Sequence, residues 1–248
     1  MILELTTPQG SPITKYHEWT RPKKDYQWKA GRSAMELARS WFRNDRPEPP
    51  DELLSLFHPD TRFKELQFTS GTPELVTSLP ERGEGRNHDL SLIATTQNEQ
   101  VTVTIEAKAD EPFGSDTILE YYTKAITRRE KETSTRVPER IEQLLSMVDP
   151  DVPIEESKWK DIRYQLLTAL CGTILQARID DSSLAVLVVH EFRSDGTSAY
   201  KHKRNHSDLE DFLSVLAGKK RILVTDKMYD GFSVDGMDLM IGKVVTTL

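Results

Sequence analysis

The chain has 248 residues, with 33 Lys and Arg against 40 Asp and Glu, a net charge of −7, 37% hydrophobic and 29% charged residues. That is enough chain to bury a sizeable core as one α/β domain over residues 1–248, and the acidic balance excludes a surface that is basic all over, as non-specific coating of a duplex requires. No run approaches the ~18 apolar residues of a membrane span, the N-terminus lacks the basic and apolar regions of a secretory signal, and Cys171, the single cysteine, excludes an intrachain disulfide and a Cys-based zinc centre; a cytoplasmic protein with no membrane partner is expected.

In chain order, residues 1–30 read as an N-terminal arm. From Lys15 to Arg32, "KYHEWTRPKKDYQWKAGR", six Lys and Arg stand against two acids, with Tyr16, Trp19, Tyr26 and Trp28 between them. Such interleaving suits phosphate and base contacts, and equally an arm whose aromatics lie on the domain while its charges stay in water. A first helix is predicted from Ser33, with Glu36 completing a Ser-x-x-Glu capping box and Met35, Leu37, Ala38, Trp41 and Phe42 supplying its apolar face. The prolines of "RPEPPDE" end it. A short helical turn over Leu53 to Phe57 leads to a candidate strand, "TRFKELQF", and "SGTPELVTSLPERGEG" reads as a loop-rich approach to the next strand.

A hairpin follows: "RNHDLSLIAT", the polar turn "QNEQ", then "VTVTIEAKA". With the turn centred between Asn98 and Glu99, Asp89 faces Lys108 and Ser91 faces Glu106. Leu90, Leu92 and Ala94 then share the opposite surface with Ala107, Ile105 and Val103. One face is apolar, and the other gathers Asp89, Glu106 and Lys108 at the end away from the turn.

A helix is predicted from Ser115, a second over "VPERIEQLLSMV", and a long apolar one from Trp159 to Ala177, which places Cys171 in the core. "LAVLVVHEF" is a continuous apolar run, as in a parallel strand buried on both faces. A polar link, "RSDGTSAYKHKRNH", precedes a helix capped by Ser207 and Glu210, and "RILVTD" reads as a further strand. "YDGFSVDGMD" lacks the glutamate of a calcium loop and reads as a turn.

Helix with Glu36, strand, hairpin with Asp89 and Glu106-x-Lys108, helix, strand: over residues 31–192 this order resembles the PD-(D/E)XK nuclease superfamily. The resemblance implies a mixed central sheet flanked by helices with a restriction-endonuclease-like αβββαβ core; the helix and strand read after it make a C-terminal αβ extension over 193–248. It implies that Asp89 and Glu106 hold Mg²⁺ or Mn²⁺, that Lys108 orients the attacking water, that Glu36 joins the site from the first helix, and that Gln165 lines it from a later one. The chemistry suits these types: Mg²⁺ prefers oxygen ligands and keeps several waters, so two carboxylates plus a substrate phosphate suffice. The family's Pro-Asp is absent, His88 standing before Asp89. Nucleic acid is the implied partner, and a homo-oligomer is compatible with the sequence.

Plainer readings stand beside these. Asp89 and Lys108 make sense as a surface ion pair, Glu36 as a helix cap, Gln165 as a residue on an exposed stripe, and the fold as a catalytically silent one that binds nucleic acid or a protein partner. On the surface reading, Lys108→Ala leaves stability unchanged.

Overall fold

The apolar run "LAVLVVHEF" forms β5 (Leu184–Arg193). Leu184, Val186 and Val188 enter one hydrophobic core, and Ala185, Leu187 and Val189 enter another. Both faces are therefore covered, which is what a strand without polar alternation requires. The computed structural model describes residues 3–131 and 134–248. Its central sheet has seven strands in the order β1-β2-β3-β4-β5-β7-β6. These are β1 (Glu4–Leu5), β2 (Gln67–Thr77), β3 (Arg86–Thr95), β4 (Gln100–Lys108), β5, β6 (Lys227–Val234) and β7 (Met237–Thr247).

One sheet face is covered by α1 (Ser33–Ser40), α2 (Asp51–Phe57) and the arm, through Leu37, Trp41, Leu56, Phe57 and Trp19. The other is covered by α3 (Ile118–Glu130), α4 (Val137–Ser146), α5 (Tyr164–Ile179) and α6 (Ala199–Ala217), through Ile118, Leu144, Leu170 and Phe212. The fold is thus α/β, a mixed sheet flanked by helices. β4 and β5 run parallel, joined by the long crossover through α3, α4 and α5. The expected αβββαβ order of elements is present.

Several boundaries differ from expectation, each for a local reason. "SGTPELVT" is not a loop but most of β2; its Pro73 lies beyond the two residues, Ser70 and Gly71, that pair with β1, so the missing N–H leaves no ladder bond unmade. α1 takes Ser33 as its first residue, with Arg32 at the cap, and α3 starts at Ile118 with Thr117 and Glu120 forming the capping box. α5 begins at Tyr164, leaving Trp159 and Ile162 buried ahead of it. The polar link before Ser207 is helical: α6 runs unbroken from Ala199, held by Asp110 Oδ1 accepting from the Ser198 amide (2.8 Å) and by Asn205 Nδ2 donating to Glu111 O (2.9 Å).

The C-terminal segment is not an appended αβ unit. "RILVTD" forms no strand; instead β6 and β7 make a hairpin whose Asp235 and Gly236 both have positive φ (49° and 77°), as a two-residue Asp-Gly hairpin turn needs. β7 lies between β5 and β6, parallel to β5.

The β3–β4 hairpin turns one residue earlier than expected. Thr95 pairs with Gln100, and the Thr96 amide donates to Glu99 O (2.9 Å), while the Asn98 and Glu99 amides each donate to Thr96 Oγ1 (3.3 Å). The Thr96 hydroxyl thus selects a turn centred between Gln97 and Asn98. Pairs become Leu90 with Ile105 and Ser91 with Thr104. A one-residue change in turn centre moves partners by two, so each side chain keeps its face.

Candidate functional site

Continuing the hairpin register past Leu90 and Ile105 puts Asp89 opposite Glu106 rather than Lys108. Asp89 is not a solvated partner of the lysine: its Oδ2 accepts from the Ala107 amide at 2.7 Å. Glu106 is 2% exposed, and Lys108 is 4% exposed. Lys108 Nζ bonds Glu106 Oε1, and Gln165 Nε2, from the first turn of α5, donates to the same oxygen at 2.8 Å. Asp89, Glu106, Lys108 and Gln165 line one cleft of about 960 Å³. The plain surface reading of Lys108 is corrected by this burial, and Gln165 is half-buried on the cleft wall. A strand end covered by α5 is interior, so the expectation that Lys108→Ala leaves stability untouched no longer holds.

Glu36 is not brought into this group. Its Oε1 accepts from the Gly31 amide (2.7 Å) and pairs with Arg39 (3.2 Å), and it does not line the cleft. The expected Ser33–Glu36 capping box does not form; Gly31 lies outside α1, ahead of the Arg32 cap, so Glu36 ties down the chain entering the helix rather than one of the helix's own amides.

The residue missed in the sequence is Arg86. Its Nη2 bonds Glu106 Oε2, and it is 8% exposed. By strict alternation Arg86 and His88 belong with Leu90 and Leu92, in the core under α1. They lie instead against Gly172 of α5, where an added Cβ would stand 2.6 Å from Arg86 Cγ and 3.2 Å from His88 Cε1. Beside this reversal Glu74 stands in the left-handed region (φ 55°), between the pairs Pro73–Leu90 and Leu75–His88. Beyond it the β2–β3 ribbon lies against α5, Thr77 Oγ1 donating to Gln176 Oε1 (2.6 Å). No sequence period signals such a reversal.

The electrostatics follow from burial. Burial raises the Asp89 carboxyl above its usual range, against the pull of Lys108, the Ala107 amide and Arg86. Burial lowers Lys108, opposed by Asp89 and Glu111. Glu74 is pushed up to about 7 by burial and then by Asp89. His88 falls to about 3 through burial and the Arg86 charge, so its imidazole is neutral, with Nε2 3.0 Å from Thr77 Oγ1. An effective penalty of several kcal/mol per buried ion, after relaxation, has to be recovered by pairing, and apolar side chains of similar volume are often as stable or more so. Three ions packed under α5 thus exceed what the fold needs, the pattern expected of a functional site.

The donor chemistry fits an oxygen-preferring dication. Two carboxylates sit on adjacent strands, and Arg86 is bonded to Glu106 and attracted by Asp89 and Glu74. The Arg86 Nε is buried without a hydrogen-bond partner, so this guanidinium is incompletely satisfied where it lies. Among the described residues no group of three or more His, Cys, Asp and Glu is arranged for a metal; an ion here would have two protein ligands, Asp89 and Glu106, the rest of its shell being water or substrate oxygen. Cys171 is buried against α4, where its Sγ lies 3.6 Å from Leu144 O, and burial pushes its thiol up. No helix among the described residues is long and apolar enough to cross a membrane.

No curated protein and no solved structure matches this chain. Residues 12–248 match a family described as a domain of unknown function (DUF6946). With nearly its whole length inside that match, the chain belongs to the DUF6946 family.

Proposed function

We propose that this chain hydrolyses phosphodiester bonds of nucleic acid, with Mg²⁺ or Mn²⁺ held by Asp89 and Glu106. The observation that carries the reading is the convergence of Asp89, Glu106, Lys108 and Gln165 on the floor of one polar cleft. When bound, such an ion polarises a phosphoryl oxygen and acidifies a coordinated water. Lys108, held beside Glu106 and over the Phe113 ring (5.1 Å), supplies fixed positive charge where negative charge develops on the phosphate. Gln165 fixes the Glu106 rotamer from α5, and the Ala107 amide fixes that of Asp89. The carboxylates are thus oriented before substrate arrives, and an ion at Glu106 would replace Arg86 or Lys108 as the partner of one oxygen.

Calorimetric titration tests the ligand assignment. Asp89→Asn keeps an acceptor for the Ala107 amide while removing the charge, so native protein is expected to bind Mg²⁺ or Mn²⁺ and the variant to lose that binding. Unchanged affinity in Asp89→Asn removes Asp89 from the site. Lys108→Ala is expected to bind the ion and to cleave nothing.

One observation favours a second reading. Both Glu106 oxygens are engaged by Arg86, Lys108 and Gln165, a floor that is complete without an ion. On that reading the cleft binds nucleic acid or a protein partner without catalysis. Native protein that retains an oligonucleotide but takes up neither ion supports it.

A further inference from the structure

Resting on the phosphodiesterase reading, we infer that the cleft admits a single nucleic-acid strand and excludes a duplex. The groups that would meet the phosphate are nearly sealed from solvent: Glu106 is 2% exposed, Lys108 4% and Arg86 8%. A backbone reaches them only by descending between walls, and those walls are tied together. The β2–β3 loop is fastened to α4 by Arg140, whose guanidinium donates to Pro80 O (3.2 Å), Glu84 O (2.8 Å) and Glu81 O (3.4 Å). Gly83 leaves just enough room for that guanidinium, since a Cβ there would stand 2.5 Å from Arg140 Nη2. The same loop reaches the chain between α3 and α4 through Arg82 Nη2 and Ser134 Oγ (3.1 Å), and reaches the arm through Lys23 and Glu84 (2.8 Å).

A duplex is stiff over about 150 base pairs and presents its phosphates on a broad convex surface, so it cannot follow such a descent. A single strand bends at each nucleotide and can. The lining suits one as well. Arg82 and Arg136 stand on the cleft walls above the buried floor, and Tyr121 and Tyr164 form an aromatic pair with centroids 4.5 Å apart at 31°, with the Arg128 guanidinium 5.8 Å from the Tyr121 ring. Exposed arginines beside aromatic rings hold strands without sequence preference, and here they stand with Glu84 and Glu111 in a lining of mixed charge.

Fluorescence anisotropy in Ca²⁺, and separately in EDTA, would compare a short labelled oligothymidylate, an oligouridylate and a blunt hairpin duplex of equal strand length. The expected result is at least about tenfold tighter binding of one or both single strands than of the duplex, the two single strands telling DNA from RNA. Arg82→Ala combined with Arg136→Ala, both on the exposed part of the wall, is expected to weaken single-strand binding and flatten its salt dependence. Duplex bound as tightly as the single strands, or an unchanged double variant, overturns the inference. Duplex binding by protein that also takes up Mg²⁺ leaves the phosphodiesterase reading standing; protein that binds neither probe ends both.

Discussion

Glu106 receives three donors, two of them cations, and the balance among those charges is what one substitution at a time can read. Arg86 is the decisive position, because its guanidinium competes for the carboxylate that a dication would use. Arg86→Met keeps an unbranched side chain of similar reach beside Gly172 and removes the charge. Divalent ions should then bind more tightly, by about tenfold if a single like charge worth about 1.4 kcal/mol is removed. In EDTA the same variant should melt at a lower temperature than wild type, since Asp89, Glu74 and Glu106 lose a shared counter-charge. Weaker ion binding in Arg86→Met, measured by calorimetry, would instead make the arginine a part of the binding site. Asp89, Glu106 and Lys108 were legible from the sequence, because E-x-K on a polar strand face opposite an aspartate is a local pattern. Arg86 was not, because it lies against α5 while Leu90 and Leu92, with which alternation groups it, enter the opposite core.

At the scale of elements, the site depends on how closely α5 approaches the β2–β3 ribbon. Gly172 permits that approach. Replacing it by alanine would place a Cβ 2.6 Å from Arg86 Cγ and 2.9 Å from Arg86 Cβ, contacts that cannot be relieved by moving a flexible side-chain tip. Alanine gains about 0.8–1 kcal/mol in helix propensity, while forcing an extra carbon into a packed interface costs about 1–3 kcal/mol. The clash wins, so Gly172→Ala should lower stability in a denaturant titration and disturb Arg86 at the same time. A gain in stability would show that α5 is not tightly seated on β3. Other elements rest on similarly local chemistry. The Thr96 hydroxyl sets the hairpin turn, and because the resulting change of register is even, the polar face expected from alternation survives while every cross-strand partner changes. Helix starts were less legible than helix existence: α6 extends backward over eight residues ahead of Ser207 because Asp110 and Glu111, distant in sequence, hold its first turns.

Across the whole molecule, the α1–α2 layer is clasped to the sheet by Glu52 of α2. Its Oε1 accepts from Thr246 of β7 and lies 3.7 Å from His190 Nε2 of β5, while Arg43 pairs with it at 2.5 Å. Burial would raise this carboxyl, but His190 close by and the hydrogen bonds from Arg43 and Thr246 prevail and hold it well below the ordinary range. A carboxylate depressed in the folded state contributes stability that is fully present above its unfolded value of 4.5 and is lost as the pH falls toward the folded one. Thermal melts of wild type and Glu52→Gln should therefore differ most at neutral pH and converge below about pH 4.5. A gap that stays constant across that range removes Glu52 from the acid response.

The sequence by itself determined the class of the fold and pointed to four of five residues that line the cleft together, Asp89, Glu106, Lys108 and Gln165, but not to Arg86. Continuous apolar β5, the alternating hairpin and the amphipathic helices are patterns written over a few neighbouring residues, where burial on one face or two dictates residue type directly. Only the tertiary structure decided that the polar face of the hairpin is interior, that Arg86 joins it, that Glu36 does not, and that β7 runs through the sheet beside β5. Each of these depends on which distant segment covers a surface, and a chain carries no local record of what will pack against it.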